Sequence, residues 1–127
     1  MRILTSKLAA IPAIGIALLA ASPSLAKEPI DFIVSYPAAP GATLDRDYYV
    51  QSHLPLVQES WGDYGLEGCD AYFPSVQDAK YLVVAVCRFR DEDALQSAFD
   101  APDTPKVMAD IANFTTVEPE RSVARNF

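Results

Sequence analysis

The sequence predicts an α+β protein in which one antiparallel sheet, in a ferredoxin-like arrangement, carries its helices on one face. Strand-like and helix-like patterns follow one another in the order β-α-β-β-α-β, with one more short helix before the last strand. The 127 residues allow one domain and leave no room for two. A content of 50% hydrophobic and 21% charged residues is typical of a globular chain and excludes a disordered one.

The N-terminal residues have the features of a secretory signal peptide. A short basic stretch precedes an apolar run over 8–21, and small residues stand at the −3 and −1 positions of a cleavage site after Ala26. A transmembrane anchor is the alternative, but the run is shorter than the roughly 20 residues of a spanning helix and contains a proline. We therefore predict a signal peptide over 1–26 and an α+β domain over 27–127. The mature protein is expected to be periplasmic or secreted.

The first half of the mature chain predicts a strand and a helix. Apolar residues alternate over 29–36, which is typical of a strand. Asp45 is a good helix N-cap because its carboxylate can accept hydrogen bonds from the free backbone N–H groups of the first turn. A helix is therefore predicted over 45–53, and Pro55 is expected to perturb or end it. A further short turn and a loop over 65–68 follow.

The second half predicts a hairpin, two helices and a last strand. Strands over 69–73 and 80–90 flank a turn, and the second of them is rich in β-branched residues, which suits a central position in a sheet. Asp91 is expected to cap one helix, and Thr104, which precedes a proline, begins a shorter one. A last strand is predicted over 115–123, and the proline within it implies an edge position or a bulge.

The long strand is apolar on both sides. Val83 and Ala85 alternate with Leu82, Val84 and Val86, so both faces of the sheet are expected to be covered. A mature chain of this length has helices for only one of them. A second copy of the chain is the simplest cover for the other face, and we therefore predict a homodimer.

The two cysteines are candidates for a disulfide. Cys69 and Cys87 lie nine residues before and nine residues after Asp78, the centre of the predicted hairpin turn. Directly opposed cysteines of an antiparallel pair can bridge, and an exported protein meets oxidising conditions. The alternative is a pair of small buried thiols, because a slip of one residue would separate them. A redox-active pair has the least support, since there is no Cys-x-x-Cys motif.

Charge and motifs exclude several classes of function. A net charge of −7 disfavours nucleic acid and anionic membranes as partners. One histidine and two cysteines are too few for a zinc site of nitrogen and sulfur ligands, and the acids at 91–93 suit the start of a helix better than a metal. There is no glycine-rich phosphate loop and no Gly-x-Ser-x-Gly motif. We therefore predict no metal, no cofactor, no nucleic acid and no membrane contact of the mature form.

His53, the only histidine, is the main candidate for chemistry. Tyr49 lies four residues earlier, so the two side chains share one helix face. An imidazole exchanges protons near neutral pH, and a neighbouring tyrosine can orient a ligand or stabilise an oxyanion. The alternative is a structural histidine that closes the end of a helix by bonding to the backbone.

Five short motifs share a pattern with a known family. They are Tyr36-Pro37, 40–45, 47–49, His53-Leu54-Pro55-Leu56-Val57, and a closing segment over 110–119. Together they resemble the signature of EthD-like proteins, which belong to the dimeric α+β barrel superfamily, over about 30–123. Many members of the family carry a further histidine before the last short helix. The corresponding segment of this chain, 101–104, has the sequence Ala-Pro-Asp-Thr and contains no histidine.

The resemblance implies a homodimeric α+β barrel with a pocket between each sheet and its helices. The expected ligand is a small apolar or aromatic molecule, with His53 as general acid and base and Tyr49 orienting the ligand. Further ligand contacts are expected from Tyr36, Tyr48, Trp61 and Asn113. For Trp61 the alternative is packing in the core, and for Asn113 it is capping of a turn.

The activity that the resemblance implies is cofactor-free acid/base chemistry, as in an isomerase or lyase, or an EthD-type oxidoreductase activity in a degradation pathway. A non-catalytic ligand-binding or accessory protein with the same pocket is an alternative. A haem-assisted oxidase with His53 as the axial ligand is another. The ligand itself is not identified by the sequence.

Overall fold

The computed structural model of the chain describes residues 9–13, 15 and 27–127. Most of the predicted signal peptide, and its cleavage site after Ala26, lie outside the described residues. The strands are β1 (Ile30–Pro37), β2 (Leu66–Tyr72), β3 (Tyr81–Phe89) and β4 (Glu120–Ala124). The helices are α1 (Arg46–Tyr48), α2 (Leu54–Trp61), α3 (Glu92–Phe99) and α4 (Thr104–Asp110), with a π-helical segment over Tyr49–His53 and 3₁₀ turns over Gly62–Tyr64 and Ile111–Asn113.

The four strands form one antiparallel sheet in the order β2-β3-β1-β4, which confirms the predicted α+β, ferredoxin-like class. β3 is central and β4 is an edge strand, as its preceding proline implies. The helices cover the face of the sheet that carries Phe32, Tyr36, Ala85 and Phe89, all of which are buried. Two apolar clusters fill this interface, one beneath α2 and α3 and the other around Tyr36 and the π segment.

Two predicted strand boundaries are wrong. β2 begins at Leu66, within the predicted loop, because Leu66 is buried in the core and pairs with Phe89. The last strand begins at Glu120 and not at Thr115. The Thr115 hydroxyl donates to the Thr43 carbonyl and accepts from a nearby backbone N–H, so the side chain forms a turn where the ladder was expected.

Pro55 was expected to perturb or end the first helix, and it does not end it. Asp45 caps α1 by accepting from the Tyr48 backbone N–H, and the chain then widens into the π segment before continuing as α2. Pro55 occupies the first turn of α2, where its missing N–H has little cost. A π turn changes the register of the backbone hydrogen bonds without breaking the helix, and such turns are frequent at functional sites.

The hairpin of β2 and β3 has the register that its turn predicts. Asp78 lies in the connecting turn with a positive φ of 57°, and Cys69 pairs with Cys87. Their Cα atoms are 4.0 Å apart and their sulfur atoms are bonded. The disulfide therefore joins the edge strand β2 to the central strand β3 on the helix-covered face.

The opposite face of the sheet carries apolar side chains without helices over them. Ile33 pairs with Val86, and Val84 lies on the same side. These three are half-buried, although the described residues place no helix on that face. Leu82, which the alternation also placed there, packs instead against the cluster around Tyr36, because the register shifts at the end of β1. Across the described part of the chain, no helix is long and apolar enough to cross a membrane.

Candidate functional site

The candidate site is a narrow pocket between the sheet and the helices, with about 410 Å³ of empty space when the solvent in its open mouth is counted. It lies where the two apolar clusters meet, so most of its wall is aliphatic or aromatic. The wall comes from β1, the π segment, α2, β3, α4 and the first residue of the 3₁₀ turn that follows, and β4 contributes one residue at the opening. The lining includes Phe32, Val34, Tyr36, Tyr49, His53, Val57, Trp61, Cys87, Val107, Met108 and Arg121.

Three polar atoms face this apolar space. The hydroxyls of Tyr36 and Tyr49 and Nε2 of His53 form no hydrogen bond within the described part of the chain. In that same part, every fully buried side-chain nitrogen or oxygen has a partner, so these three atoms are accessible and open into the pocket that their residues line. A ligand can therefore bond to them without displacing a protein partner.

The π segment holds Tyr49 and His53 against each other. Their rings stack with centroids 5.4 Å apart and an angle of 27° between their planes. The ring of Phe114 lies 4.6 Å from that of His53, and His53 is only 5% exposed. The imidazole is thus fixed between two aromatic rings and has little freedom to rotate.

Asp110, at the C-terminal end of α4, orients the imidazole. Its Oδ2 lies 2.9 Å from Nδ1 of His53. Its Oδ1 accepts hydrogen bonds from the Tyr48 hydroxyl at 2.7 Å and from the Asn113 side-chain amide at 2.9 Å. Burial by itself raises the pKa of Asp110, but these three hydrogen bonds outweigh it and hold the pKa below its ordinary value. Asp110 is therefore an anion at neutral pH.

His53 is held as a neutral base. Burial lowers the pKa of His53 from its ordinary value of 6.5, and the opposing effect of Asp110 does not restore it. An ionised Asp110 only accepts hydrogen bonds. Nδ1 of His53 therefore carries the imidazole proton, and its N–H donates a hydrogen bond to Oδ2. Nε2 is then unprotonated and faces the pocket, which is the arrangement of a general base with a carboxylate behind it.

The lowered pKa of His53 predicts a dependence of stability on pH. The unfolded chain takes up the proton near pH 6.5, whereas the folded chain takes it up only at lower pH, so the free energy of unfolding is highest above pH 6.5 and falls as the pH falls below it. The slope is expected to reach at most about 1.4 kcal/mol per pH unit. Denaturant unfolding between pH 7.5 and 5.5 measures it. His53→Gln is expected to abolish the slope, and an equal slope in that variant would contradict the assignment.

The residues predicted from the sequence separate into two groups. Tyr36, Tyr49, His53 and Trp61 line the pocket, and the Trp61 indole N–H donates to the Thr104 hydroxyl at 2.8 Å. The structure places Tyr48 and Asn113 outside the pocket wall, where both bind Asp110 in place of the expected ligand.

Two residues of the site were not among the predicted site residues. On the sequence alone Asp110 could line a pocket, but capping the turn before the last strand is the favoured interpretation, and only the fold brings its carboxylate to Nδ1 of His53. Arg121 was not singled out. Only the register of β4, which pairs it with Val34, places it on the helix-covered side of the sheet.

The site does not fit a metal ion or a haem. No group of three or more metal-binding side chains occurs within residues 9–13, 15 and 27–127. The pocket is narrow and its wall closes around the His53 ring, so a porphyrin has no room beside Nε2.

No protein-family model matches the sequence, and no match to it was found among curated proteins. Solved structures do match. An EthD-like protein from Ralstonia eutropha superposes with a TM-score of 0.67 at 21% identity, over 78% of this chain and 92% of that one. An ethyl tert-butyl ether D family protein from Bacillus halodurans superposes with a TM-score of 0.62 at 15% identity, over 78% and 99%. The chain has the EthD-like fold.

A third structure is that of a cofactor-independent oxygenase from Streptomyces nogalater, with a TM-score of 0.54 at 15% identity over 79% of this chain and 96% of that one. At such identities the likeness concerns the fold, and chemistry has to be argued from the site.

Proposed function

We propose that this chain of EthD-like fold binds a small apolar or aromatic molecule in its pocket and moves a proton on it without a cofactor. One observation carries the proposal: Asp110 holds Nδ1 of His53 at 2.9 Å while Nε2 opens into an apolar pocket. A histidine with a purely structural role would not need an Nε2 that faces the pocket without a protein partner. It would also not need a carboxylate at Nδ1 that takes part in three hydrogen bonds.

The reaction proposed is the removal of a proton from a C–H or O–H group of the ligand by Nε2. The bonding electrons stay on the ligand and are delocalised towards one of its oxygens, and the imidazolium is stabilised by Asp110. Return of the proton to another atom of the ligand gives an isomerisation, and its return after C–C or C–O cleavage gives a lyase reaction. The hydroxyls of Tyr36 and Tyr49 are placed to donate to the ligand.

The hydroxyls stay protonated in this proposal. Burial raises the pKa of Tyr36 to about 12. Burial also raises the pKa of Tyr49, with a further contribution from Tyr36. Both groups are therefore hydrogen-bond donors at any pH at which the protein works. An oxidoreductase-type activity would start from the same deprotonation, after which the ligand anion would react with molecular oxygen as the oxidant.

We further propose that the protein works as an exported homodimer. The uncovered sheet face, with Ile33, Val84 and Val86, supports a second copy as its cover, because an apolar face of this kind is usually buried. Two cysteines joined across a hairpin support an oxidising compartment, periplasmic or extracellular.

A native mass spectrum of the protein purified from its exported compartment tests the assembly and the pocket together. The expected spectrum shows a dimer that carries an additional small mass, which identifies the ligand. The ligand is then incubated in D₂O with the protein, and we expect deuterium to enter it with the wild type and not with His53→Gln. Equal deuterium incorporation with both proteins would contradict the catalytic role of His53. A monomer in the native mass spectrum would contradict the proposed dimer.

A non-catalytic binding or accessory role is the second candidate. The packing of His53 between two rings and its 5% exposure favour it, since both are also features of a structural histidine. In that case the ligand is recovered but takes up no deuterium with either protein. His53→Gln then lowers the melting temperature and changes nothing else.

A further inference from the structure

We propose that the ligand of this pocket carries an anionic oxygen, a carboxylate or a phenolate, and that Arg121 at the pocket opening binds it. The inference rests on the proposed function only in taking the pocket as the ligand site. It adds the chemical class of the ligand and a residue that determines specificity.

The composition of the pocket wall points to an anion. Arg121 is the one residue of the wall that carries a fixed charge, and no carboxylate lines the pocket. The remaining polar groups are two hydroxyl donors and the unprotonated imidazole nitrogen. A cationic ligand would find no anion in this wall, whereas an anionic oxygen at the opening meets a guanidinium with several N–H donors.

The guanidinium of Arg121 has no carboxylate partner among the described residues. Its only polar contact there is from Nη2 to the Sδ of Met108, at 3.9 Å. The other four arginines of residues 27–127 are occupied: three pair with carboxylates, and one lies over an aromatic ring. They are Arg88, Arg90 and Arg125 with Asp31, Asp91 and Glu92, and Arg46 over Phe73.

The position of Arg121 suits an oxygen that also contacts Tyr36. The two residues stand on neighbouring strands and line the same pocket, because Arg121 pairs with Val34 and points to the helix-covered side. Burial raises the pKa of the Tyr36 hydroxyl, the positive charge of Arg121 lowers it, and the Glu118 carboxylate raises it again. In this proposal an anionic oxygen accepts from the guanidinium and from the Tyr36 hydroxyl, while the apolar body of the ligand lies deeper, beside His53.

Two probes of matched shape separate charge from size: 4-ethylbenzoate, an anion, and 4-ethylbenzamide, its neutral analogue. Dissociation constants are measured by calorimetry on the full-length mature protein. The indole N–H signal of Trp61, the only tryptophan, reports by NMR whether the probe enters the pocket. We expect the benzoate to bind about tenfold or more tightly than the benzamide, the effect of one hydrogen bond to a charged group.

Arg121→Gln is expected to remove this preference, because the benzoate loses a charged partner whereas the benzamide loses at most a hydrogen bond to its neutral carbonyl. Lys106→Gln is the matched control, because it removes one positive charge from an exposed position of α4 outside the pocket wall, and it should keep the preference. The inference is overturned if the preference survives in Arg121→Gln or is lost in Lys106→Gln.

The probes also distinguish this inference from the proposed function. If both probes shift the Trp61 signal and bind equally, the anion inference fails while the pocket for a small aromatic molecule stands. If neither probe shifts the signal at millimolar concentration, both fail together.

Discussion

Asp110→Asn is expected to lower the rate of proton transfer by about 10⁴-fold while leaving the fold intact, the size of effect seen when a catalytic histidine is held in the wrong tautomer. The reason lies in the hydrogen bonds around the carboxylate. In the wild type Asn113 and Tyr48 both donate to Oδ1, and the variant keeps these two bonds only if the oxygen of the new amide takes that position. Its NH₂ group then faces Nδ1 of His53 and donates to it, which moves the imidazole proton to Nε2. The base on the pocket is lost.

The tautomer is measured directly, because His53 is the only histidine. ¹⁵N-detected NMR at pH 7.5 is expected to show a protonated Nδ1 in the wild type and a protonated Nε2 in Asp110→Asn. The rate is followed as deuterium incorporation into the ligand recovered from the native protein. Asp103→Asn, at an exposed position before α4, is the matched control and should change neither quantity. An unchanged tautomer in Asp110→Asn would contradict the claim that Asp110 sets the protonation of the His53 ring.

Reduction of the Cys69–Cys87 disulfide is expected to lower the free energy of unfolding by about 3 kcal/mol, the loop-entropy effect for a sequence separation of 18 residues. That corresponds to a change of roughly 100-fold in the folding equilibrium. The bond joins the edge strand β2 to the central strand β3, so the reduced unfolded chain regains the freedom that the bond removes. Cys87 also lines the pocket, and reduction should therefore weaken probe binding as well.

Denaturant midpoints with and without a reductant measure the effect of the disulfide. The double variant Cys69→Ala/Cys87→Ala serves as the control, because the reductant should leave its midpoint unchanged. A wild-type midpoint that does not move on reduction, with free thiols confirmed by mass, would mean that the bond contributes nothing to stability.

Most of the fold was predictable because its signals are local. Alternation identified β1 and β3, and the caps Asp45 and Asp91 were correct because an N-cap depends on one side chain and the N–H groups next to it. The position of β4 was less predictable, since Thr115 has the propensity of a strand residue but bonds to Thr43, far away along the chain. No local rule contains that contact.

The candidate site was predictable in part for the same reason. Tyr49 and His53 are neighbours on one helix, so their spacing was enough to bring them together. Asp110 reaches His53 across 57 positions of sequence, and Arg121 reaches the pocket only through the register of β4.

The amino-acid sequence by itself determined the fold class and the order of the strands and helices, offered Cys69 and Cys87 as possible partners across a hairpin, and singled out His53 and Tyr49 as candidate site residues. Only the tertiary structure decided what stands behind and beside that histidine. It placed Asp110 at Nδ1, left Nε2 open to an apolar pocket, and brought to the opening a guanidinium that has no carboxylate partner among the described residues. The physical reason is that helix caps, periodicity and hairpin register depend on neighbours in sequence, whereas tautomer, pKa and pocket charge depend on neighbours in space.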